Sequence, residues 1–114
     1  ALHRAAEREV CEEANITAEA EGIVAVRSRI RSPETTDCYL VFNMRYLAGI
    51  PQPDGKEVDA AEFLRFEEIK VLENVVNLTK IIILQHNAKK LNALEWSKSF
   101  DFYNTNNHDY QLFL

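Results

Sequence analysis

Residues 1–16 read ALHRAAEREVCEEANI, and they govern how the rest of the chain is understood. Ala, Leu, Arg and Glu are strong helix formers, so residues 1–14 are predicted helical, with Asn15 as the stop. Glu7, Glu9, Glu12 and Glu13 place four carboxylates within seven positions of that helix. On a wheel of about 100° per residue, Leu2, Ala5, Ala6, Val10 and Ala14 spread over an arc from about 140° to about 320°. Glu9 at about 180° and Glu13 at about 220° fall inside it, and Glu12 lies at its edge. Arg4, Arg8, Glu7 and Cys11 point the other way. A solvated face accounts for Glu7, but not for Glu9 and Glu13 on the face expected to pack.

Like charges at i and i+4 repel on a helix, and partial burial raises both the cost and the carboxyl pKa values. A bound divalent cation reverses both penalties. Mg²⁺ and Mn²⁺ take hard oxygen ligands, which carboxylates on successive turns supply at short range. The plain alternative is an acidic surface helix carrying i,i+4 ion pairs among Arg4, Arg8 and Glu12.

Outward from the helix, residues 17–31 read as extended and 32–37 as a turn cluster around Pro33. CYLVFNMRYL (38–47) is the clearest strand, with Leu40, Phe42, Met44 and Tyr46 on one face. AGIPQPDGKE (48–57) holds two prolines and an Asp-Gly and reads as a loop. Residues 58–66 read as a short strand, 77–91 as a helix, 104–109 as a turn and 110–114 as a final strand. Helix, strands and helix in this order predict a layered α/β domain. Arg27, Arg29 and Arg31 alternate along one strand face, more simply a wet face or guarded edge than a phosphate receptor. Tyr39 and Tyr46 are expected in the core.

The chain has 114 residues, 46% hydrophobic and 27% charged, which fits one soluble globular domain spanning 1–114. A net charge of −5 argues against a general nucleic-acid-binding surface. No apolar run is long enough to cross a bilayer. Cys11 and Cys38 form no metal-like spacing and are expected as reduced thiols in a cytoplasmic protein.

REVCEEANI (8–16) resembles the C-terminal half of the Nudix hydrolase signature, G-x5-E-x7-R-E-U-x-E-E-x-G-U with U aliphatic. Arg8 and Glu9 match R-E, Val10 the aliphatic position, Glu12 and Glu13 E-E, and Ile16 the last aliphatic. Asn15 stands where the family has Gly, a mild departure, because Asn is the next best residue for a left-handed helix stop. Phe63 and Leu64, followed by Glu68 and Ile69, resemble a later family segment. Counting back, the earlier signature Glu falls just before Ala1. The resemblance therefore implies an N-terminally truncated chain that begins inside the signature helix and has little activity alone.

The resemblance implies an α/β/α sandwich around a mixed sheet, and hydrolysis of a nucleoside diphosphate linked to another moiety. It assigns Glu9, Glu12 and Glu13 to a divalent metal, Mg²⁺ or Mn²⁺, and an orienting role to Arg8. The general base comes from the helix, at Glu12, or from the later loop, at Glu57, although Glu57 also reads as an ordinary solvated loop residue. The expected partner is a small nucleoside diphosphate derivative, with no nucleic acid and no membrane; a homodimer stays open. Two other readings stand beside this one. One is a catalytically inactive Nudix-like domain that binds a nucleotide or a protein. The other is an unrelated α/β interaction domain with an acidic helix.

Overall fold

The first helix, α1 (Leu2–Ala14), ends where the sequence predicts, in a computed structural model that describes residues 1–88, Leu94 and 110–114. Asn15 takes a left-handed backbone (φ 60°, ψ 33°), and its N–H returns to the Cys11 carbonyl at 3.1 Å. The orphan carbonyl of Ala14 accepts the Gln52 N–H at 3.0 Å, and the Asn15 side-chain amide donates to the Ile50 carbonyl at 3.0 Å. That approach requires Gly49: its φ is +109°, and a Cβ there would lie 2.3 Å from the Asn15 carbonyl oxygen.

Two long strands follow, β1 (Thr17–Ser32) and β2 (Thr35–Ala48). Only Pro33 and Glu34 separate them, so the chain doubles back as an antiparallel hairpin. The expected turn cluster is thus shorter than 32–37, with β2 resuming at Thr35. Then come α2 (Phe66–Val71), α3 (Asn77–Ala88) and β3 (Tyr110–Phe113). Among the described residues the sheet has three strands in the order β2-β1-β3. β3 pairs antiparallel with β1, Val26 opposite Phe113 and Arg29 opposite Tyr110. The architecture is mixed α/β. The turn expected at 104–109 and the helix end at 89–91 lie outside the described residues.

The chain divides into two compact units. Ile23–Val41 with Phe66–Leu114 holds a core of Ala25, Leu78, Ile82, Leu112 and Leu114, joined by Val24, Val41 and Ile81. Leu78, Ile81 and Ile82 recur at the spacing of one helical face, which settles the apolar run 77–88 as a helix. Burying a leucine such as Leu112, 1% exposed, is worth about 1.5–3 kcal/mol. In this unit Asp37 accepts from Arg27, at 3.1 Å, and from Arg31, so the arginine row is tied to an acid on β2. Arg27 also lies over the Tyr39 ring, 5.4 Å from its centroid.

Ala1–Gly22 with Phe42–Arg65 forms the other unit, in which Ile16 is the buried hydrophobic among the described residues. The strand expected at 58–66 is absent: residues 58–65 take no regular secondary structure, and Phe66 already opens α2. A strand needs a partner ladder as well as β-prone residues. Phe63 stands 60% exposed and meets Tyr46 edge-on, ring centroids 5.2 Å apart. Tyr39 and Tyr46, expected in the core, are each 51% exposed. The Tyr46 hydroxyl donates to the Gly49 carbonyl at 2.7 Å. Cys11 and Cys38 are free thiols, as expected.

Candidate functional site

Helix α1 presents its half-buried side through Ala5, Ala6, Glu7, Val10, Glu13 and Ala14. That face runs from about 140° to about 340° on the wheel, so it reaches Glu7 beyond the end of the alanine arc. Three expectations are corrected. Leu2 is 67% exposed. Glu9 is exposed rather than packed. Glu7, expected in solvent, has a side chain only 13% exposed. The physical reason is that alanines bury too little surface to fix a helix phase, whereas one strong polar contact can.

Glu7 makes that contact. One carboxylate oxygen accepts the backbone N–H of Ala20 on β1 at 2.9 Å, and the other accepts from Arg4 at 2.9 Å. The Ala20 amide, then Arg4, hold the Glu7 carboxyl below its ordinary value. A charge accepting a backbone donor is stabilised there, so Glu7 fastens α1 to the start of β1. Arg4, Glu7, Arg8 and Cys11, with Thr17 and Leu47 beside them, border an open cleft of about 360 Å³ on this side of the helix.

The C-terminal turn of α1 is different. Burial first, and then a hydrogen bond with the Glu57 carboxyl, push the Glu13 carboxyl above its ordinary value. The charges of Glu57, Glu9 and Asp54 act in the same direction. Glu13 and Glu57 are thus brought together from a helix and a distant loop, with Glu9 and Asp54 adding negative potential. Glu57 itself is exposed. Two carboxyls in contact favour sharing a proton or binding a cation.

Asp54 shapes the loop that carries Glu57. Its Oδ1 accepts the backbone N–H groups of Lys56 at 2.9 Å, Glu57 at 3.1 Å and Val58 at 2.9 Å. The Lys56 amide above all, then Val58, keep the Asp54 carboxyl below its ordinary range. The signal for this capture is local: an Asp directly ahead of Gly, as at Asp54-Gly55, favours a side chain that accepts the following amides.

Arg8 and Glu12 sit apart from the Glu13–Glu57 contact. They face each other at 3.8 Å with side chains 68% and 66% exposed, a geometry that contributes little.

The donor chemistry fits a hard divalent cation: Glu13 and Glu57 offer carboxylate oxygens whose mutual repulsion such a charge relieves. Among the described residues, no three His, Cys, Asp or Glu side chains converge closely enough to hold a metal, so Glu9 and Glu12 do not complete a site around the pair. No helix among these residues is long and apolar enough to cross a membrane.

Comparison with protein families matches residues 1–85 to the model of the NUDIX domain. Comparison with curated proteins and with solved structures gives no match.

Proposed function

Given that the chain belongs to the Nudix family, we propose that it is a metal-dependent pyrophosphohydrolase that cleaves a nucleoside diphosphate linked to another moiety through attack of water on phosphorus. On this reading residues 1–114 are one cytoplasmic domain with the family's α/β/α sandwich around a mixed sheet, and the substrate is a small molecule. The observation that carries the reading is the family match over residues 1–85, with Glu13 of the signature half-buried at the C-terminal end of α1.

Glu13 and Glu57 would hold Mg²⁺ or Mn²⁺ between them, with Glu9 one turn back on α1 and Glu12 beside it. Bound there, the cation would neutralise the charge of a diphosphate and lower the pKa of a water molecule, making it a better nucleophile toward phosphorus. Glu57, on an exposed loop, takes the proton from the attacking water, the role of a general base. The phosphorus–oxygen bond to the leaving group breaks as the new one forms, releasing a nucleoside monophosphate. Arg8, 3.8 Å from Glu12, stands where the family has its orienting arginine.

Among the described residues no three metal-binding side chains converge, which favours a second reading, a Nudix domain that binds a nucleotide or a protein without turnover. One experiment separates the two. Nucleoside diphosphate derivatives are incubated with the protein, with and without Mg²⁺ or Mn²⁺, and nucleoside monophosphate is measured. Product that depends on the metal supports the hydrolase. Saturable nucleotide binding with no product in any metal supports the binding domain.

A further inference from the structure

We propose that Asn15 is the latch of a coupled element: its side chain ties the segment 49–52 to the C-terminal end of α1, so that the helix end and the loop after β2 open and close together. The sequence leaves this segment little of its own to hold it. Pro51 and Pro53 carry no N–H, so Gln52 supplies the only backbone donor from 51 to 53. Residues 49–54 take no regular secondary structure, so no ladder binds them. Ile50 is 80% exposed, so burial of its side chain does not anchor the segment either. What holds it is polar and converges on one helix end. The Gln52 N–H donates to the Ala14 carbonyl at 3.0 Å, and Nδ2 of Asn15 donates to the Ile50 carbonyl at 3.0 Å. Gly49 passes so close that a Cβ there would lie 2.3 Å from the Asn15 carbonyl oxygen. On its other side the Tyr46 hydroxyl fixes the Gly49 carbonyl at 2.7 Å.

Asn15 serves this arrangement in two separable ways. Its backbone closes the helix, with φ 60° and its N–H on the Cys11 carbonyl. Its side chain reaches 35 positions along the chain to Ile50. The glycine of the family signature supplies the first and has no atoms for the second. The departure from the signature is therefore the gain of a contact. It also joins two events. When the Ile50 bond breaks, the segment is released, Gln52 leaves with it, and the Ala14 carbonyl at the helix end is orphaned. A contact that moves either the last turn of α1 or the loop is thereby felt by the other. This coupling holds whether or not the protein turns over a substrate.

Amide hydrogen exchange followed by NMR at pH 7 tests the latch in Asn15→Gly and Asn15→Asp. Both keep a residue that accepts the left-handed backbone. Gly deletes the side-chain donor, and Asp replaces it with an oxygen facing the Ile50 carbonyl. In Asn15→Gly the Gln52 amide is expected to exchange about threefold to tenfold faster, while the amides of residue 15 and of β1 keep their rates. Asn15→Asp is expected to open Gln52 at least as far. A plain helix stop gives the opposite result: glycine, the better residue at a positive φ, leaves Gln52 protected and raises the melting temperature. That outcome overturns the latch. So does an Asn15→Asp variant with Gln52 protected as in the unmodified protein, since the amide donor is then not what holds the segment. An equal rise in exchange at Gln52, residue 15 and β1 overturns it too, because the whole fold rather than a local tie would have loosened.

Discussion

Glu7 and Glu13 lie on one side of one helix, both half-buried, and their surroundings treat them in opposite ways. Glu7 meets a backbone N–H and an arginine, and its charge is welcome. Glu13 meets another carboxyl within a negative loop, and its charge is opposed. Burial alone therefore does not mark a functional carboxylate; the sign of its partners does. The N-terminal half of α1 is fastened by its acid, whereas the C-terminal turn tolerates one at a cost that a cation can remove.

The largest effect expected is on turnover. If Glu57 is the general base, Glu57→Gln lowers kcat by about 10²- to 10⁴-fold with the fold retained, as steady-state kinetics and circular dichroism would show. Glu13→Gln belongs to the same class through loss of metal, while Glu7→Gln leaves the chemistry in place. A Glu7→Gln variant as inactive as Glu13→Gln, and equally well folded, would break the contrast.

Next in size is Gly49→Ala. The added methyl meets the Asn15 carbonyl, and the positive φ strains any other residue, so a loss of about 1–3 kcal/mol is expected in chemical denaturation. The damage should reach the Glu13 end and weaken Mn²⁺ binding. Loss of stability with full Mn²⁺ affinity would show that the carboxyl pair does not depend on this docking.

The pH dependence is subtler and runs in opposite directions. Glu7 has a folded-state pKa below the ordinary 4.5. Its stabilisation is present above that value and is lost as pH falls through the lower one. Glu7→Gln should therefore melt below the unmodified protein at pH 7, and the gap should close in acid. Glu13 has a folded-state pKa above the ordinary 4.5. The unmodified protein is best placed below that value and loses ground as pH rises through the folded one. Metal-free Glu13→Gln should therefore melt above it at pH 7, with this gap also closing in acid. The smallest effect belongs to Glu12→Gln. Its contact with Arg8 is long and exposed, so no measurable change in melting temperature is expected.

Local signals in the sequence carried most of the secondary structure. The helix over 1–14, its left-handed stop at Asn15, the strand through 38–47, the loop from residue 49 and the helix beginning at 77 all follow from propensity, turn chemistry and period. Glu13 was legible as a half-buried acid for the same reason. The rest depends on distant contacts. No wheel reveals that Glu7 reaches Ala20, or that Glu57 returns to Glu13 from a loop more than forty positions away. The stretch 58–66 has strand-like residues but no ladder, and Tyr46 is exposed because its ring and hydroxyl find Phe63 and Gly49 at the surface. The signature resemblance weighed between two readings that physics left open, a cation on this helix and a plain acidic surface.

Thermal melting at pH 7 of the unmodified protein, Glu7→Gln and Glu13→Gln, each with and without Mg²⁺, tests the central contrast most directly. Mg²⁺ is expected to raise the melting temperature of the unmodified protein and of Glu7→Gln. Glu13→Gln is expected to start higher without metal and to gain nothing from it. A Glu13→Gln variant that starts lower and still responds fully to Mg²⁺ would show that Glu13 neither opposes folding nor holds the cation.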